Sequence, residues 1–173
     1  MDYIESDMDF SPLFSSEEYQ SFYIEKSDLY KKISSNAVKS VEFIATKNQE
    51  FYFIEARSSF PRTKNSGNVE KEEQILYDKL HHSIDLMVAK MVGVKKHLKH
   101  NFSNELGCPD VLDKNLSDHK VFFFVVMNEK FKEEWCVDVL TSLNKRLIPL
   151  RKIWDISVKV ISEEEARRLK MVI

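Results

Sequence analysis

The sequence predicts an α/β fold: a mixed central sheet flanked by helices on both faces. Three observations carry this. Residues 41–57, VEFIATKNQEFYFIEAR, hold two runs of β-branched and aromatic residues around a polar joint, which is a β-hairpin. Residues 121–127, VFFFVVM, are continuously apolar, as a strand buried on both faces is. Helical periodicity separates and follows these strands, and that alternation implies parallel pairing through right-handed crossovers.

The order of elements runs as follows. Residues 1–11 are short and acidic, with Asp2, Glu5, Asp7 and Asp9; a loose arm is expected over 1–14, with Phe10, Leu13 and Phe14 docking onto the body. Ser15 followed by Glu18 fits a capping box, so a helix is expected through Tyr19, Phe22 and Tyr23. Ser27-Asp28 breaks it or caps a second turn through Leu29 and Ile33, and Ser34-Ser35-Asn36 is a turn. The hairpin follows. Residues 58–69, SSFPRTKNSGNV, form a loop, since Pro61 and Gly67 break structure and the rest is polar.

Residues 70–92 give the strongest helix, with Leu76, Leu80, Ile84, Met87, Val88 and Met91 on one stripe and Glu70, Glu72 and Glu73 at its positive end. Residues 101–119 have no clean period and read as an excursion. After the 121–127 strand, Phe131, Trp135, Val139, Leu143 and Leu147 mark a helix that Pro149 follows. Alternation over 156–161 gives a final strand toward an edge, and Ser162 with Glu165 opens a short terminal helix.

Composition bounds the function. At 173 residues with 43% hydrophobic and 31% charged residues, one domain spanning 1–173 with its own core is expected. Three glycines and four prolines argue against a loop-rich all-β sandwich. A net charge of −2 excludes a basic nucleic-acid coat, though not a local basic patch. Cys108 and Cys136 have no metal-ligand spacing and read as reduced thiols. No signal sequence and no apolar stretch of about 20 residues appears, so no membrane span is expected and the cytoplasm is the expected compartment. Phosphate-binding glycine loops and nucleophile elbows are absent. His81 and His82 are adjacent and point apart on the helix; His97 and His100 share a face without making a metal site.

The hairpin register brings chemistry into view. With the loop centred between Asn48 and Gln49, Thr46 faces Phe51, Ile44 faces Phe53 and Glu42 faces Glu55, with Arg57 on the same face. Carboxylates directly opposite one another have Cβ atoms only about 5 Å apart and repel. In a covered sheet they need a cation, a proton or an arginine.

An acid, a short hairpin, then hydrophobic-Glu-x-basic-Ser-Ser resembles the core of the PD-(D/E)xK nuclease superfamily, whose fold is restriction-endonuclease-like. Glu42 matches the first acid, Glu55 the second and Arg57 the lysine. Two positions depart: the first acid is Glu after Val rather than Asp after Pro, and the lysine is arginine. The resemblance covers about residues 15–127 in order of elements. It implies Mg²⁺ or Mn²⁺ held by Glu42, Glu55 and the Ala56 carbonyl, and hydrolysis of a nucleic-acid phosphodiester. It also implies a further acid from an N-terminal helix, for which Glu18 and Glu25 are candidates, and Gln74 pointing back to the site. Arg57 cannot give up its proton, so its expected role is electrostatic. Arg62 and Lys64, in the loop leaving the hairpin, are placed to reach a phosphate. The competing expectation is a non-catalytic binding or assembly subunit on the same scaffold, with Arg57 pinned between the glutamates and a protein partner. A third is a regulatory α/β domain binding a small ligand, with Glu42 and Glu55 on opposite faces.

Overall fold

The computed structural model describes residues 2–61, 66–91 and 116–173. Its centre is a five-stranded sheet in the order β3 (Gln20–Tyr23), β4 (Phe43–Lys47), β5 (Glu50–Arg57), β6 (Lys120–Met127) and β7 (Ile156–Ser162). Strands β3, β4 and β5 are antiparallel neighbours; β5, β6 and β7 run parallel. A small hairpin of β1 (Ile4–Glu5) and β2 (Met8–Asp9) precedes them. Six α-helices, α1 (Pro12–Ser15), α2 (Asp28–Ile33), α3 (Ser66–Met91), α4 (Glu133–Arg146), α5 (Ile148–Trp154) and α6 (Glu163–Arg168), and two short 3₁₀ helices, Ser34–Asn36 and Leu116–Asp118, complete the described elements.

Alternation along β5 explains the layering. Phe51 and Phe53 join Leu76, Leu80, Leu143 and Leu150 beneath α3, α4 and α5. Tyr52, Ile54 and Ala56 face the opposite way, against Phe10, Leu13, Ala166 and Met171 of the N-terminal segment and the α6 region. Both faces of β5 are thus covered, which is why its run has no polar alternation until Glu55. A buried phenylalanine such as Phe53, fully enclosed, contributes about 1.5–3 kcal/mol through the water its ring gives up.

The expected hairpin forms in the expected register: Thr46 pairs with Phe51 and Ile44 with Phe53. Its loop is Asn48-Gln49, with Asn48 at φ 56°. Asparagine tolerates that left-handed conformation and a β-branched residue does not. Asn48→Val should cost about 1–2 kcal/mol in urea unfolding, and Asn48→Gly should be neutral or better.

Ser27 caps α2, accepting from Tyr30 N at 3.0 Å, and Ser162 caps α6, accepting from Glu165 N at 3.3 Å. The terminal strand β7 lies at the sheet edge.

Four expectations are corrected. Residues 20–23 form strand β3 rather than a helix. The spacing Tyr19, Phe22, Tyr23 fits one helical face, but Phe22 enters the α3-side core while Tyr19 and Tyr23 enter the other, an alternation only a strand produces. Ser15 does not cap a helix there; its Oγ donates back to Ser11 O. The N-terminal segment is an ordered β1–β2 hairpin and α1 rather than a loose arm, while Phe10 and Leu13 dock as expected, both fully buried, and Tyr3 stacks on Phe14. Pro149 does not merely follow a helix but opens α5, because proline in a first turn lacks only an N–H that would go unbonded.

The basic stretch with Lys95, Lys96 and Lys99, along with His97, His100, Cys108 and most of the 101–119 connection, lies outside the described residues. Cys136 is buried, and burial pushes its thiol pKa up, with Glu133 adding to the shift. No helix among the described residues is long and apolar enough to cross a membrane.

Candidate functional site

The site lies where β4 and β5 part. The last ladder pair there is Phe43 with Ile54, and one step further puts Glu42 opposite Glu55. The ladder ends because the Glu42 side chain replaces a backbone acceptor: its Oε2 accepts from Ala56 N at 2.9 Å. Glu42 is thereby held rigidly, with its second oxygen turned toward Glu55. The two acids are on one face, which removes the geometry expected of the small-ligand alternative.

Between them stands Lys79 of α3. Its Nζ donates to Glu42 Oε1 at 2.9 Å and to both Glu55 oxygens at 2.9 and 3.0 Å. Three charge-assisted hydrogen bonds satisfy all three ammonium protons. Helical spacing explains its reach. Glu72, Leu76, Lys79 and Ser83 recur on the side of α3 that faces the sheet, and Ser83 Oγ accepts from Val41 N at 3.0 Å, fixing the helix against the chain entering β4.

Arg57 is at the edge of this cluster rather than its centre. One guanidinium nitrogen is 3.7 Å from Glu55 Oε1, and the other donates to Glu72. The expected trio of Glu42, Glu55 and Arg57 is therefore assembled as Glu42, Glu55 and Lys79, with Arg57 flanking. Nor is Arg57 pinned between the glutamates, as the non-catalytic alternative expected; Lys79 takes that place.

Glu25, one of two candidate further acids, is drawn in. It follows β3, its N–H donates to Glu42 O at 3.5 Å, and its carboxylate lies with those of Glu42 and Glu5 within 4.8 Å of one another. It arrives from a strand end, not from the expected helix. Glu18, the other candidate, is elsewhere: it pairs with Lys47 at 2.6 Å and with Lys170, which hold its carboxyl down at about 2. Gln74 does not point to the site; its amide donates to Asp78 at 2.6 Å, and Asp78 accepts from Lys39. Arg62 and Lys64 lie outside the described residues. Among the histidines, His82 accepts from Lys39 N at 3.0 Å and His81 sits beside Asp85.

Charge is unbalanced here. Glu5, Glu25, Glu42 and Glu55 meet the Lys79 ammonium and that of Lys26, which lies 3.4 Å from Glu5, and Arg57 is shared with Glu72. Burial opposes the Lys79 charge, but Glu55, Glu42 and Glu25 outweigh it and raise its pKa. Burial raises the Glu55 carboxyl well above its usual 4.5; Glu42 adds to this and Lys79 opposes it. Burial also raises Glu25, which Lys79 opposes and Glu42 reinforces. A cluster with surplus negative charge takes up a proton or a cation. The carboxylates whose oxygens lie within 4.8 Å of one another are those of Glu5, Glu25 and Glu42, and such hard donors suit Mg²⁺ or Mn²⁺ rather than a thiolate-seeking metal.

A pH dependence follows. A carboxyl raised above 4.5 binds its proton more tightly folded than unfolded. Its stabilisation is full below the unfolded value and is lost as pH rises through the folded one. Glu55→Gln, permanently neutral, lacks that loss. The melting temperature of the variant minus that of the wild type should therefore climb as pH rises from about 4.5 to neutrality, read by thermal melts across buffers.

Lys79 is the site residue that the hairpin motif alone did not reveal. Its signal was a lysine one position before Leu80 and three after Leu76, bordering the apolar stripe of the strongest helix. A charge at the margin of a buried stripe needs a partner, and two unpartnered acids were at hand.

No family model, no curated protein and no solved structure matches this chain.

Proposed function

We propose that the chain is a metal-dependent phosphodiesterase acting on nucleic acid, of the restriction-endonuclease-like type. The observation that carries this reading is the convergence of Glu42, Glu55 and Lys79 at the parted end of β4 and β5. The topology agrees with it from the hairpin onward: β4 and β5, then α3, then β6 parallel to β5 follow the expected order of elements, although strand β3 stands where a helix was expected.

Glu42 and Glu55, with the Ala56 carbonyl, would hold Mg²⁺ or Mn²⁺. Bound there, the ion would neutralise phosphoryl oxygens and favour a deprotonated water. Lys79, displaced from the carboxylates, would present its ammonium to the attacking water or to a phosphoryl oxygen. This is a role that Arg57, fixed to Glu72 and unable to give up a proton, does not supply. Arg57 would counter charge on the phosphate at the edge.

The test is direct. Purified protein incubated with single- and double-stranded DNA and RNA should cleave at least one of them with Mg²⁺ or Mn²⁺ and none with EDTA. Intact substrates under every condition would sink the proposal. The non-catalytic subunit stands as the alternative, favoured by one observation: a lysine, rather than an open gap, separates the acids.

A further inference from the structure

A cavity of about 120 Å³ opens past the carboxyl end of β5, on the α3 side of the sheet, where the acids also lie. Its walls come from three parts of the chain. Phe60 follows Arg57 by three residues, and Val69 lies in the first turn of α3. Phe131, Trp135, Asp138 and Ser142 are supplied by the approach to α4 and by one face of that helix, at i, i+3 and i+7 spacing within it. The rings of Phe131 and Trp135 meet edge to face, 5.3 Å apart at 80°. Ser142 donates to Glu73, which ties the α4 wall to α3.

The cavity is close to the acids. Val69 precedes Glu72 by three residues and Lys79 by ten. About 15 Å of α3 therefore separates the cavity wall from the lysine. Arg57, held by Glu72, stands between them.

The lining limits the occupant. Aromatic walls favour a flat ring, and an apolar cavity of about 150 Å³ takes benzene. A cavity of 120 Å³ thus suits one six-membered ring rather than a fused pair. Asp138 is exposed at the lip and only accepts hydrogen bonds, which selects a ring with an amino group on its edge. Arg57 and Lys132 flank the mouth with positive charge. The Lys132 ammonium is 5.3 Å from the Trp135 ring centre, and its pairing with Glu134 at 3.8 Å is exposed and weak. A flat amino-bearing ring joined to an anion is a cytosine nucleotide, and its amino group pairs well with a carboxylate. Uracil and thymine would turn a carbonyl oxygen toward Asp138 and be repelled. In a duplex the base is stacked and its edge is occupied, so the strand must be unpaired.

We propose that this cavity receives one unpaired cytosine of a nucleic-acid strand. The ring lies against Phe131 and Trp135, the amino group donates to Asp138, and the backbone runs past Arg57 toward the acids. The inference rests on the nucleic-acid reading of the site and deepens it, assigning the activity to single strands.

The full chain in EDTA at neutral pH, titrated with oligo(dC), oligo(dT) and a duplex of equal length, tests it without cleavage. Anisotropy of the labelled oligonucleotides gives affinities for wild type, Asp138→Asn and Trp135→Ala, each checked for wild-type circular dichroism. Oligo(dC) should bind about fivefold or more tighter than oligo(dT) or the duplex. Asp138→Asn, a change at an exposed position, should erase the preference for oligo(dC) over oligo(dT). Trp135→Ala should weaken oligo(dC) about fivefold or more. In a Trp154→Phe background Trp135 is the sole tryptophan, and oligo(dC) should quench its fluorescence. Equal affinity for the two oligonucleotides, a duplex bound as tightly, no binding, or an unquenched Trp135 overturns the cavity assignment. The hydrolytic reading is judged apart, by cleavage with Mn²⁺. Cleavage without quenching keeps that reading and removes the cytosine site, and quenching without cleavage does the reverse.

Discussion

Lys79→Met will lower the stability of this protein by about 3–5 kcal/mol at neutral pH, because it strands buried carboxylates without their cation. Glu55 is fully enclosed and Glu42 nearly so, and neither can turn to water. For a chain of this length that loss is a fall of roughly 6–20 °C in melting temperature. Two conditions should restore part of it. Acid pH lets the stranded carboxyls take up protons, and Mn²⁺ supplies the missing positive charge. Urea unfolding at neutral and acid pH, with and without Mn²⁺, reads all of this. A variant as stable as wild type at neutral pH would mean that the ammonium does not hold the acids together. On the hydrolytic reading, cleavage by the variant should also fall by about a hundredfold or more, through loss of the positioned charge that would face the attacking water or a phosphoryl oxygen.

Glu55→Gln will separate structure from chemistry. The side chain keeps its shape and its amide oxygen can still accept one of the two bonds from Lys79, while one surplus negative charge leaves the interior. Stability at neutral pH should be equal to wild type or higher. Cleavage should be lost by about a thousandfold, since a divalent ion contributes several kcal/mol of charge stabilisation and each 1.36 kcal/mol is a factor of ten. Cleavage that survives this change would remove Glu55 from the reaction. A Glu55→Gln chain that unfolds would show instead that the carboxylate is needed for the fold.

The hairpin, the buried β6 run and the long α3 helix were legible because each depends on local pattern: alternation, continuous burial and a stripe. The pairing of Glu42 with Glu55 was legible for the same reason, since a two-residue loop fixes which residues face each other. Strand β3 was not, because three aromatic positions fit a helix face and an alternating strand equally well. Helix α5 was hidden behind a proline that ends some helices and begins others. Lys79 lies 24 positions beyond Glu55, and Glu25 lies 17 before Glu42. Their arrival at one point is a property of the crossover and of the sheet order, which no single stretch encodes. Arg57 shows the converse: adjacency in the motif placed it beside Glu55, yet its stronger partner is Glu72, about two turns of α3 before Lys79.

The β4–β5 turn closes in the chain well before α3 exists. A nascent segment ending near Arg57 would bring two like charges together with nothing to reconcile them, so that segment should not persist alone at neutral pH. Lys79, which reconciles those charges in the fold, is supplied only when α3 docks through Leu76 and Leu80 against the aromatic underside of the sheet.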